Sequence, residues 1–87
     1  MKFKDVAVNR DERYALGIEE ESGKYYVSIP VSNGMIEYEE YYEIDQAMFD
    51  QFKADLDSAL PFVERVRNRL EDPRLMYQPS TKRGTPT

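Results

Sequence analysis

Asn33-Gly34-Met35-Ile36-Glu37-Tyr38-Glu39-Glu40-Tyr41-Tyr42-Glu43-Ile44-Asp45 is the stretch on which the fold turns. Asn-Gly is the strongest short hairpin signal, because both residues accept the positive φ that a tight turn between strands demands. After it, Ile36, Tyr38, Tyr42 and Ile44 alternate with Met35, Glu37, Glu39, Tyr41 and Glu43. A period of two is strand geometry, with an apolar row on one side and carboxylates with tyrosine on the other. The apolar row needs a cover. The Glu/Tyr row is expected to face outward, as plain solvated surface or as a place where something docks.

Toward the N-terminus the same pattern repeats. Tyr25, Val27, Ile29 and Val31 alternate with Tyr26, Ser28 and Pro30, and Tyr14, Leu16 and Ile18 alternate with Arg13, Ala15, Gly17 and Glu19. Residues 3–8 show a fainter alternation through Val6 and Val8. Asn9-Arg10-Asp11-Glu12 and Ser22-Gly23 supply the turns. Connections this short imply a four-stranded antiparallel meander. A two-residue loop at Asn33-Gly34 sets Val31 opposite Ile36, Tyr25 opposite Tyr42 and Tyr26 opposite Tyr41. A hairpin centred on Ser22-Gly23 sets Val27 opposite Ile18. Both put the odd residues of the third strand on one face. Two-residue loops at both ends would make its even residues bond both neighbours at once, so one turn must be longer. Glu21-Ser22-Gly23-Lys24 is the expected place. Pro30 lacks an N–H that this ladder would use, which marks an edge or a bulge.

Toward the C-terminus, Asp45 caps a helix. Its apolar positions Phe49, Phe52, Leu56, Ala59/Leu60, Val63, Val66 and Leu70 step by threes and fours. Pro61 lies within that stripe and predicts a kink near residues 59–60, while the unbroken phase predicts one bent helix ending at Asp72-Pro73. Continuous to Glu71, it would run roughly 39 Å, against about 27 Å for an eight-residue strand. Its second half would overhang the sheet, leaving Phe62, Val63, Val66 and Leu70 as a dimer or partner seam. Residues 73–87 read by composition as a flexible tail, unless Leu75 and Tyr77 tie it to the core. Lys82 and Arg83 read as tail charge. The expected architecture is α+β: one domain over residues 1–72, a four-stranded meander with a long or kinked C-terminal helix on one face, then a tail over 73–87.

Composition narrows the function. The 87 residues fit one domain, and they include neither cysteine nor histidine. That removes disulfides, thiolate metal sites and the commonest general base. The chain has no apolar run long enough for a membrane span, and the charged start Met-Lys-Phe-Lys-Asp lacks a signal-type apolar region. A cytoplasmic protein is therefore expected. Residues 1–61 carry 14 acidic and 6 basic side chains, a balance of −8, and residues 62–87 carry 3 and 6, a balance of +3. Arg65, Arg67 and Arg69 suit a helix C-terminus. The acidic half, including Glu19-Glu20-Glu21, disfavours nucleic acid and favours a basic protein partner.

Glu37 with Glu39, or Glu39 with Glu43, could serve acid–base chemistry or hold a hard cation. No calcium-loop spacing or Gly-rich phosphate loop accompanies them, and alternating glutamates on a strand are ordinarily a solvated face. No enzyme activity, cofactor or metal is expected. Of seven tyrosines, Tyr14, Tyr25, Tyr38 and Tyr42 are expected at the core edge with hydroxyls reaching water. Tyr26 and Tyr41 lie among glutamates, where a base-stacking platform would have Lys and Arg. Tyrosine ringed by polar groups belongs to protein-binding surfaces. The expected partner-binding set is Tyr26, Tyr41, Glu19, Glu37, Glu39 and Glu43.

In size, charge, lack of cysteine and the residues Tyr26, Glu37, Glu39, Tyr41 and Glu43, the chain resembles the small acidic immunity proteins that bacteria encode beside toxins. The resemblance implies a non-enzymatic domain that neutralises a basic toxin through its acidic, tyrosine-bearing sheet face. The alternative is a homodimeric structural or adaptor protein using the helix overhang.

Overall fold

The alternating segments form strands β1 (Phe3–Asn9), β2 (Tyr14–Glu19), β3 (Tyr25–Ser32) and β4 (Glu37–Ile44) in a computed structural model that describes residues 1–77 and 83–87. They lie side by side in chain order, each antiparallel to the next. A short β5 (Thr85–Pro86) pairs with the far end of β3.

Both hairpins slip by two residues from the expected register. Tyr25 faces Ile44 and Val31 faces Tyr38, while Leu16 faces Val27. The cause at the first is Asn33, which does not take the positive φ that the expected turn requires; only Gly34 does, at 89°. Instead the Asn33 side-chain oxygen accepts the N–H groups of Met35 (3.1 Å) and Ile36 (3.0 Å). Such local bonding competes with the tight turn. The Asn33 N–H bonds the Ile36 carbonyl at 3.2 Å, so the turn centres on Gly34-Met35.

That move swaps which residues of β3 bond to β4, from even to odd. The Pro30 carbonyl points away from β4 and accepts the Thr87 N–H at 3.2 Å. Its missing N–H therefore faces the gap between β2 and β5, and the β3–β4 ladder loses nothing. The longer turn does fall in the other hairpin, as loop 20–23 closed by the Glu19 N–H on the Lys24 carbonyl at 2.8 Å. A slip of two keeps every side chain on its face. Ile36 is the exception, since it leaves the strand for the turn and is 61% exposed.

Asp45 caps α1 (Gln46–Ala54), its side chain accepting the Met48 N–H at 2.8 Å. The helix then stops well before Pro61. Asp55 is extended (φ −144°), and its carbonyl holds the Ser58 N–H (3.0 Å) and hydroxyl (2.6 Å). A 3-10 turn, Leu56–Ala59, leads into α2 (Leu60–Arg67), where Pro61 sits in the first turn and its lost N–H costs nothing. The single long helix is thus two short ones. Both pack on the sheet, through Phe49 and Phe52 and through Val63 and Val66, and Ala59 of the turn between them joins the same core.

The expected overhang does not exist: Val63 and Val66 are core, Phe62 is half-buried beneath the Arg74 guanidinium, and Leu70 alone is largely exposed at 58%. The helix also ends early. Leu70 N–H bonds the Arg65 carbonyl and Arg69 N–H the Val66 carbonyl, both at 3.0 Å, around Arg69 at φ 59°. This double bond around a left-handed residue is a Schellman cap.

The C-terminal segment is part of the fold where it is described. Leu75 bridges Tyr42, and the Met76 N–H bonds the Tyr41 carbonyl at 2.9 Å, covering the outer edge of β4. Lys82 lies outside the described residues, but Arg83 is far from idle tail charge. It neutralises Glu40, which shares the inward row with Tyr38 and Tyr42 and is 4% exposed. Arg83 Nε and Nη2 reach the two Glu40 oxygens at 2.8 and 3.1 Å, and Nη1 and Nη2 reach Asp72 at 2.7 and 2.9 Å. The Tyr42 hydroxyl donates to Glu40 at 2.7 Å; burial first, then that bond, raises its pKa. Two of the other core-edge hydroxyls also find protein partners. Tyr14 donates to the Leu56 carbonyl at 2.7 Å, and Tyr38 accepts the Gly84 N–H at 2.7 Å.

Candidate functional site

Opposite the helices, cross-strand pairing sets Val8, Ala15, Ser28 and Tyr41 in one row, with Pro30 and Glu39 to one side and Gly17, Tyr26 and Glu43 to the other. The central positions Ala15, Gly17 and Ser28 are small, so this face is hollow between its flanks.

One end of the hollow is filled by the chain itself. The far end of the Tyr26 ring lies over Gly17, and its hydroxyl donates to Asp5 at 2.6 Å. Phe3 stacks on Tyr41 with centroids 3.6 Å apart, and Tyr26 meets both edge-on at 5.4 and 5.0 Å. Tyr77 closes the cluster, 6.2 Å from Tyr41, with its hydroxyl on the Glu39 carbonyl at 2.8 Å. Such aromatic pairs add about 0.5–1.5 kcal/mol each beyond the area they bury.

Two expected contact residues are therefore unavailable to a partner. Tyr26 is 0% exposed and Glu19 is 2% exposed. Glu19 instead organises its own chain: its carboxylate accepts the N–H groups of Lys2 (2.7 Å), Ser22 (2.8 Å) and Glu21 (3.0 Å). These bonds, the Lys2 amide first, hold its pKa down at about 2. A depressed carboxylate stabilises the fold fully above its ordinary value of 4.5, and that contribution is lost as pH falls toward 2. Glu19→Gln is accordingly expected to flatten the acid limb of stability over that range, read from denaturant midpoints. Equal acid sensitivity in both proteins would refute this role.

The other four expected residues do gather at the surface. Glu37 and Glu39 are exposed, while Glu43 and Tyr41 are half-buried. Glu43 is 3.4 Å from Lys24, and Glu37 is 3.7 Å from Arg13. Glu39 has no basic side chain within ion-pair distance among the described residues. Burial, then Asp5 and Glu37, raise its pKa. Burial, then Glu39 and Asp5, push the Tyr41 hydroxyl up to about 12.

At the open end of the hollow lies a groove of about 250 Å³, to which Glu37, Glu39, Asp5, Val8, Ala15 and Pro30 contribute, with Arg10 and Arg13. Asp5 and Val8 were not among the expected site residues. Their signal was the faint alternation of β1, which a bulge between Asp5 and Ala7 interrupts.

No family model, curated protein or solved structure matches the chain. Among the described residues no acidic cluster is arranged to hold a metal ion, and no helix is long and apolar enough to cross a membrane. What the groove offers is negative potential beside apolar walls. That combination suits a cationic group carried on a hydrocarbon stem.

Proposed function

We propose that the protein acts by binding, as a small non-enzymatic domain whose outer sheet face receives a basic protein partner. The observation that carries this is the placement of Glu37 and Glu39 on an open groove, with Tyr41 and Glu43 farther along the same strand, on the face the helices leave bare. Carboxylates at the rim steer a basic partner inward, and the half-buried Tyr41 supplies contact area at small entropic cost. In the form implied by the resemblance to immunity proteins, the partner is a basic toxin whose working surface is occluded.

The test is kinetic, with the product of an adjacent gene as partner. Glu37→Lys with Glu39→Lys is expected to slow association about tenfold or more at low salt and to weaken its salt dependence. Asp50→Lys with Glu64→Lys, both exposed on the helices, is the control for net charge. Unchanged association rates in the double variant would make the acidic face idle.

A further inference from the structure

Resting on that binding role, we propose that the groove is a receptor for a single arginine side chain of the partner. Its apolar surface comes from Val8, Ala15 and Pro30, against which the three methylenes of an arginine can lie. Its polar surface comes from Asp5 and Glu39. The Tyr26 hydroxyl binds one oxygen of Asp5 at 2.6 Å, which fixes that carboxylate from behind. Among the described residues neither Asp5 nor Glu39 has a basic side chain within ion-pair distance. Two carboxylates facing a narrow hollow suit a planar fork of N–H donors, which can bond both, better than the single point charge of a lysine.

The chain marks the preference with its own residue. Arg13 ends the turn before β2 in a left-handed conformation, φ 58°, unusual for a residue with a long side chain. Its guanidinium stands 3.7 Å from Glu37 and is half-exposed. It is also the nearby cation that opposes the upward shift at Glu39. Arg13 thus stands at the groove without filling it. Three carboxylates, Asp5, Glu37 and Glu39, against Arg10 and Arg13 leave the groove one negative charge in excess. A guest guanidinium balances that charge, and Arg13 competes with it for Glu37 and Glu39.

The experiment is a two-dimensional amide NMR titration of the full chain with the blocked tripeptides Gly-Arg-Gly, Gly-Lys-Gly and Gly-Gln-Gly. Shifts are expected at Val8, Ala15 and Glu39, with the arginine peptide bound most tightly and the glutamine peptide not at all. Glu39→Gln is expected to weaken the arginine peptide about tenfold, the equivalent of one charge-assisted hydrogen bond. Arg13→Asn removes the competitor while tolerating the left-handed backbone, and is expected to tighten binding about threefold. Both changes are at exposed side chains, and unmoved Phe3 and Tyr26 amides report an intact fold. Indifference to Glu39→Gln, or weaker binding in Arg13→Asn, overturns the groove as an arginine receptor. Shifts confined to Tyr41 and Glu43 also overturn it, yet leave the acidic face standing as a docking surface. No shift with either basic peptide removes both.

Discussion

Gly17→Ala is expected to destabilise the protein by about 3 kcal/mol, the upper part of the range for forcing one methyl into a filled site. A Cβ built there lies 2.3 Å from both the Tyr26 hydroxyl and the Lys4 carbonyl. Neither neighbour can retreat cheaply. The carbonyl is backbone of β1, and moving it opens the β1–β2 ladder. The Tyr26 ring is flanked by Phe3 and Tyr41, and its hydroxyl is tied to Asp5. For a domain of this size the loss amounts to a fall of about 15 °C in Tm. The ring's part can be isolated by repeating Gly17→Ala in a Tyr26→Leu background. The two changes should combine to less than their sum, because the second removes half of the clash. Simple additivity would mean that Tyr26 does not occupy the space above Gly17.

Arg83→Met is expected to cost about 3–5 kcal/mol, because it strands the buried Glu40 carboxylate without its counter-charge. Asp72 would lose a partner as well, and with Arg83 goes the anchor beside Gly84 and β5. The check is a double-mutant cycle on urea midpoints with Glu40→Gln. In the Glu40→Gln background Arg83→Met should cost much less, since the amide needs no cation and keeps the Tyr42 hydroxyl bond. If Arg83→Met costs the same in both backgrounds, the guanidinium acts through packing alone. A surface ion pair such as Glu64 with Arg67 offers the contrast, being worth under about 1 kcal/mol.

The sequence exposed the faces of this fold better than its register. Alternation with a period of two survives any even slip, so Val27, Ile29, Val31, Tyr42 and Ile44 could be assigned inward without knowing which residue faces which. Register rests on the turns, and there a single choice by the Asn33 side chain moved both Ile36 and the hydrogen bonds of Pro30. The helix stripe was equally tolerant. Phe49, Phe52, Val63 and Val66 all point to the core, yet the backbone between them breaks at Asp55, because two short helices can share one sheet face in a common phase.

The candidate site was half legible. Glu37, Glu39, Tyr41 and Glu43 stand on the outer face as their spacing implies, whereas the burial of Tyr26 depends on Phe3 reaching over from the faintest strand. Glu40 was the overlooked signal. It is the one charged residue in the row of Tyr38, Tyr42 and Ile44, and a carboxylate there must find a cation elsewhere. Composition hid the answer, because averaging the last residues into a polar tail erases the single arginine that matters.

The contact between Glu40 and Arg83 spans 43 residues of chain, and synthesis runs in one direction only. At 5–20 residues per second, the carboxylate waits roughly 2–9 s on the ribosome before its counter-ion is even joined to the chain. Through that interval the nascent sheet presents a bare negative charge where the helices must settle. Final closure of the interior therefore waits until Arg83 has been added and can reach the sheet.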